Sequence, residues 1–172
     1  MHRRLAGFTI LLGLGLMLSA CGFQLRGVGE DAAQLPDEWK SMHLATGNPN
    51  SEFSREVSNQ FAARGIVWTE KEDANYRLNL GPERFSQRNL SLNSEARVAE
   101  FELTMKARFS VRDGKNQVVI DTTDMTTIRQ MENDPRNVVG KAEEIRILKA
   151  EMRADLARQI MRRIGFFATS GG

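Results

Sequence analysis

From Ala99 to Arg112 the chain alternates without a slip. Phe101, Leu103, Met105, Ala107, Phe109 and Val111 take one set of positions; Glu100, Glu102, Thr104, Lys106, Arg108 and Ser110 take the other. Successive side chains of a strand point to opposite faces, so this pattern demands an extended segment with one face buried and the other polar. The chain must therefore build a sheet covered on one side. Asp113-Gly114 follows as a hairpin turn signal, and 118 to 128, β-branched and carrying four threonines, supplies the return strand.

Upstream, Trp39, Met42 and Leu44 punctuate a first strand at 39 to 46, ended by the turn chemistry of Gly47-Asn48-Pro49-Asn50. Asn50 or Ser51 can cap a helix over 51 to 64, in which Phe53, Val57 and Phe61 recur on one face and Arg64-Gly65 is the stop signal. Ile66-Val67-Trp68 and the alternating Tyr76, Leu78 and Leu80 read as strands. Arg84 to Glu95 has few apolar anchors and is either a long loop or a projecting hairpin tip. Asp134 can cap a last helix with Pro135 at its first position. Ala142, Ile145, Leu148, Met152, Leu156, Ile160 and Ile164 form its stripe, over about 40 Å. These elements predict an α+β, two-layer sandwich with both helices on one face of a mostly antiparallel sheet of about four strands. The domain spans 38–165, with a short C-terminal tail at 166–172.

The N-terminus sets the compartment. His2, Arg3 and Arg4 precede an apolar run from Leu5 to Leu18, and Leu18-Ser19-Ala20-Cys21 then reads as a lipobox. The run is short of the ~20 apolar residues a transmembrane span needs, which favours a cleaved leader, 1–20, over a span. The segment resembles the leaders of bacterial lipoproteins, in which the cysteine carries the lipid. That resemblance makes Cys21 a lipid anchor and 21–37 anchor plus tether. A diacylglycerol with an amide-linked chain holds a protein to a membrane far more firmly than one chain. Gly22, where retention in the inner membrane is usually signalled by Asp, points to the outer membrane.

Of the 24 Lys and Arg, two leave with the leader, so 22 basic side chains face 22 acidic ones. The mature domain is near neutral, and nothing in its overall charge calls for nucleic acid; polyanion binding would need a local cluster. Cys21 is the only cysteine, so the fold stands without an internal disulfide. With one histidine, His43, left in the mature chain, Cys-His and metal-cluster chemistry lack residues, and no glycine loop both follows a strand and opens a helix. No enzyme and no cofactor are expected.

What remains is a basic set at the ends of elements. Arg84, Arg88 and Arg97 flank the weakly apolar 84 to 97 segment, and Arg136 and Lys141 lie near the start of the last helix. A lysine at the positive end of a helix is unfavourable unless an anion offsets it. Lys141 is therefore either part of an anion site or an ordinary surface lysine compensated by Glu143 and Glu144.

Four segments carry a likeness: the lipobox with Cys21-Gly22-Phe23-Gln24-Leu25-Arg26-Gly27; Ser54-Arg55-Glu56-Val57-Ser58-Asn59-Gln60; Ala99-Glu100-Phe101-Glu102-Leu103; and Asn133-Asp134-Pro135 leading to Lys141. Over essentially the whole mature chain this resembles the LPS-assembly lipoprotein LptE family. The resemblance implies two helices against a four-stranded sheet and a non-enzymatic plug in the lumen of the outer-membrane β-barrel LptD, in a 1:1 complex. It also implies lipopolysaccharide as ligand, with Lys141 at a basic position of the family, Arg97 near another, and Arg88 and Arg136 as helpers. The alternative is a free-standing, periplasm-facing lipoprotein that binds a small amphipathic ligand or peptidoglycan.

Overall fold

The structure, a computed structural model, describes residues 35–92, 94–134 and 138–170. Leu35 and Trp39 are already buried, so the core begins inside the segment expected as tether. Asp37–Lys40 is a 3-10 turn, closed by Trp39 N donating to Pro36 O (2.8 Å), and β1 (Ser41–Thr46) starts two residues later than the spacing predicted. Ser51, rather than Asn50, caps α1 (Glu52–Ala62): its Oγ accepts from Ser54 N at 3.1 Å. Phe53, Val57 and Phe61 are fully buried beneath it. Gly65, at φ 87°, ends the helix in the left-handed region that glycine enters without a Cβ penalty. The chain then enters β2 (Val67–Trp68).

β3 (Tyr76–Leu80), β4 (Arg84–Leu92), β5 (Val98–Asp113) and β6 (Val118–Glu132) complete a six-stranded sheet. It is mixed and larger than expected. β1 runs parallel to both β2 and β3, while β5 is antiparallel to β3, β4 and β6. Parallel neighbours require a crossover, and α1 is the one that brings β2 beside β1. β3 and β4 occupy the same edge of β5, one after the other, so together they act as a single strand broken at 81–83. Gly81 permits the break: its N donates to Arg108 O (2.8 Å), and a Cβ there would stand 3.2 Å from that oxygen. The 84 to 95 segment is thus a projecting hairpin arm.

α2 (Val138–Ser170) has 33 residues, about 50 Å. It is longer than predicted because residues 166–170, expected as tail, remain helical; Phe167 meets Trp39 edge-on at 6.4 Å between ring centroids. Met152, Leu156, Ile160 and Ile164 are fully buried against the inner face of the sheet with Leu103, Met105, Phe109 and Val111. Ile145 and Leu148 are only half-buried and Ala142 is exposed. The packed core therefore lies under the C-terminal half of α2, whereas its N-terminal half runs out over the β4–β5–β6 arm.

Candidate functional site

The last residues of β6 and the first of β5 form the far end of that arm, where Phe101 lies opposite Met131 and Glu100 opposite Glu132. Asn133 closes this end. Its N donates to Ala99 O (2.8 Å) and its Nδ2 to Val98 O (2.7 Å), which leaves its Oδ1 directed to the start of α2. Lys141, in the first turn of α2, donates from Nζ to that oxygen at 2.5 Å and stands 4.2 Å from the centroid of the buried Phe101 ring. A neutral amide oxygen and an aromatic face thus hold the ammonium where the helix dipole opposes it. Glu143 does not perform this role: Arg146 takes both its oxygens, at 2.6 and 2.8 Å, and holds its carboxyl below the usual range.

Arg97 stands just before β5, beyond Ala96 at φ 57°, and its Nη1 lies 3.5 Å from Glu95 Oε2. A cleft of about 520 Å³ connects it with Asn133, lined also by Ser91, Ala99, Glu100 and Glu132. Arg97 shares this cleft with Asn133, while Lys141, which does not line it, reaches Asn133 from the inner face through its hydrogen bond. The cleft is not purely basic. Glu100 accepts from Ser91 Oγ (2.7 Å), with Glu132 beside it in register.

Arg88 is elsewhere. Register places it opposite Glu102, on the outer sheet face, whereas Lys141 covers Phe101 on the inner one. It grips Glu102 with both prongs, Nε to Oε1 at 2.6 Å and Nη2 to Oε2 at 2.9 Å. Those hydrogen bonds hold the Glu102 carboxyl below its ordinary range and raise the Arg88 guanidinium. Arg84 faces Lys106 on the same outer side. Arg136 and the lipobox cysteine, Cys21, lie outside the described residues. Among the described residues no three His, Cys, Asp or Glu side chains come together as a metal set, and no helix is long and apolar enough to cross a membrane. Sequence reasoning missed Asn133 as the hinge of the site and the second role of Phe101; only the strand register brings them under Lys141.

Residues 39–164 match the family described as LptE, lipopolysaccharide-assembly. The chain belongs to the LptE family. Among its LptE relatives, the LPS-assembly lipoprotein LptE of Photorhabdus laumondii is 28% identical over 160 residues, covering 91% of this chain and 84% of that protein. The LptE of Yersinia pestis is 26% identical over 160 residues, covering 91% of this chain and 74% of that protein. The fold is shared with lipoprotein B from Nitrosomonas europaea (TM-score 0.70, 22% identity, 87% of this chain and 94% of that one). It is shared also with rare lipoprotein B from Shewanella oneidensis (TM-score 0.66, 24% identity, 75% and 96%). This LptE-family chain is thus a lipoprotein of lipopolysaccharide assembly.

Proposed function

We propose that the protein is the non-enzymatic plug and assembly partner of an LptD-type outer-membrane β-barrel, in a 1:1 complex, and binds lipopolysaccharide at the end of the β4–β5–β6 arm. Acyl chains on Cys21 would hold it to the periplasmic side of the outer membrane, with the domain in the barrel lumen. The placing of Lys141 and Arg97 on either side of Asn133 at the end of the arm carries this reading. A phosphorylated glycolipid would offer a phosphate to Arg97 and hydroxyl donors to Glu100 and Glu132 within the cleft, with a second phosphate reaching Lys141 around the end of the arm. The outer sheet face supports the plug half of the proposal, because the even-numbered side chains of β5 from Glu100 to Arg112 are all polar and a barrel lumen is polar and wet. Arg136, three residues after Asn133, is a further candidate contact, and Arg88 would act from the outer face.

The test has two arms. Affinity purification of the tagged, full-length protein from outer membranes in mild detergent should recover a large barrel in comparable amount. Lys141→Asp combined with Arg97→Asp should weaken lipopolysaccharide binding by about tenfold or more while the barrel still co-purifies. Unchanged lipid binding would sink the site, and a well-folded, correctly localised protein without a barrel would favour the free-standing ligand binder.

A further inference from the structure

The sheet ends at β2, at β6 and along β4, and the first two ends are protected. β2 is two residues long, too short to template another strand. β6 is bulged between Ile120 and Thr123, and its outward carbonyls at Thr126 and Ile128 accept from Gln159 Nε2 (3.5 Å) and Arg129 Nη1 (3.1 Å). β4 has neither device. Among the described strands it pairs with β5 alone, and residues 86–90 are exposed throughout. Backbone direction identifies its open groups. Gly81 N donates to Arg108 O and Asn133 N to Ala99 O, so even-numbered residues of β5 turn towards β3 and β4 and odd-numbered ones towards β6. Register then sets Arg84, Ser86 and Arg88 in the ladder opposite Lys106, Thr104 and Glu102. It points the N–H and C=O of Phe85, Gln87 and Asn89 away from the sheet. Among the described residues nothing bonds these groups. No proline or glycine interrupts 84–92, and the strand's own bulge comes only after Asn89. About 20 Å of edge therefore stands ready to pair.

Charge on the outer face indicates what pairs there. Arg84 and Lys106 are directly opposite in the ladder, with Cα atoms about 5.5 Å apart, and both are exposed. Like charges so placed destabilise a sheet unless something acidic lies beside them. The nearest carboxylates are already taken: Glu102 by Arg88, Asp124 by Arg108 and Glu83 by Arg153. Among the described residues neither Arg84 nor Lys106 forms an ion pair. β4 itself holds no acidic residue, so a second copy of the chain pairing along the same edge adds cations and no carboxylate. On the inner side the edge presents Phe85, Gln87 and Asn89, and only Phe85 is partly covered, by Lys149. A strand added here meets cations on one face and an uncharged row on the other.

We propose that the free edge of β4 accepts an extended acidic segment of a partner polypeptide as an added strand, its carboxylates beside Arg84 and Lys106 on the outer face. Main-chain hydrogen bonds to Phe85, Gln87 and Asn89 supply the affinity, and the two cations select the charge. The strands of a closed barrel are paired on both sides, so the segment is a loop or a terminus of its protein. The proposal stands whether or not Lys141 and Arg97 bind lipid.

Full-length protein in nonionic detergent is titrated with a short capped peptide of alternating glutamate and valine, and with its lysine and valine counterpart. The acidic peptide should bind to saturation and more tightly than the basic one. Hydrogen exchange at the amides of Phe85, Gln87 and Asn89 should then slow, while Ser86 and Arg88, already in the ladder, stay as they were. Gln87→Pro removes an outward donor and no ladder bond, so it should weaken the peptide about tenfold or more with the melting temperature little changed. Should that variant misfold, a fully N-methylated peptide, unable to donate to the edge, should lose its affinity for the native protein. Arg84→Glu with Lys106→Glu exchanges one like-charge pair for another and should reverse the preference between the two peptides. Saturable binding that leaves the three amides exchanging freely would overturn the proposal, as would failure of the acidic peptide to bind. So would protection of those amides that rises with protein concentration in the absence of peptide, which is self-pairing.

Discussion

Arg153 joins three elements through one guanidinium. Its Nε reaches Glu83, in the break between β3 and β4, at 2.8 Å, and its Nη1 reaches Glu52, at the start of α1, at 2.7 Å. The side chain is 14% exposed and its partner Glu83 23%, so truncation leaves a part-buried carboxylate without its cation. Arg153→Ala should cost about 1–3 kcal/mol in urea unfolding. Glu102 makes the corresponding pH argument. Its carboxyl titrates below the ordinary value of 4.5 because Arg88 hydrogen-bonds the ionised form. A lowered folded-state value stabilises the fold above the ordinary value, and that contribution is lost as pH falls from about 4.5 through the lower one. NMR titration should place Glu102 below the ordinary glutamate value, and Arg88→Gln should return it towards that value. At this scale the sequence marks Lys141, because a cation at a helix start is anomalous in itself. It does not mark Asn133 or Glu83, whose partners lie 8 and 70 residues away and are chosen by the fold.

Elements were legible where one face is buried along their whole length and obscure where it is not. β5 alternates perfectly because its inner side chains face helices or core throughout. β4 is silent because, of its inner residues Phe85, Gln87 and Asn89, only Phe85 is apolar. Phe85 packs at the margin of the core and is covered by Lys149 Nζ, 4.2 Å from the ring centroid. The end of α2 was misread for the opposite reason. Gly165 interrupts the stripe, yet the helix passes through it and returns Phe167 to Trp39, which also stacks on Tyr76 at 3.9 Å. Phe167→Ala should therefore lower stability by about 1–2 kcal/mol. Phe166→Ala, at a residue 68% exposed, should stay within about 0.5 kcal/mol. Thermal melts of the two variants decide between a helix that ends in the core and one that merely trails past it.

Across the whole molecule, burial divides the fold into a packed body and an arm. Met152, Leu156, Ile160 and Ile164 of α2 are inaccessible, while the described side chains from Gly140 to Glu151 are half-buried or exposed. Hydrogen exchange should follow this division, with amides of 142–150 exchanging well before those of 152–164. Uniform protection along α2 would show that the arm is as tightly held as the body. The proposed site lies at the tip of this arm, where half-buried side chains can shift without disturbing the core. Local periodicity determined that this chain makes a half-buried sheet with amphipathic helices, since alternation at two and recurrence near four are properties of each segment alone. Charge near a helix start likewise singled out Lys141. Tertiary structure decided the parallel pairing of β1, the union of β3 and β4 along one edge, the meeting of Lys141 with Asn133 and Phe101, and the open edge of β4. Those depend on which strand lies beside which and in what register, and register is fixed by the burial of a whole face rather than by any one segment.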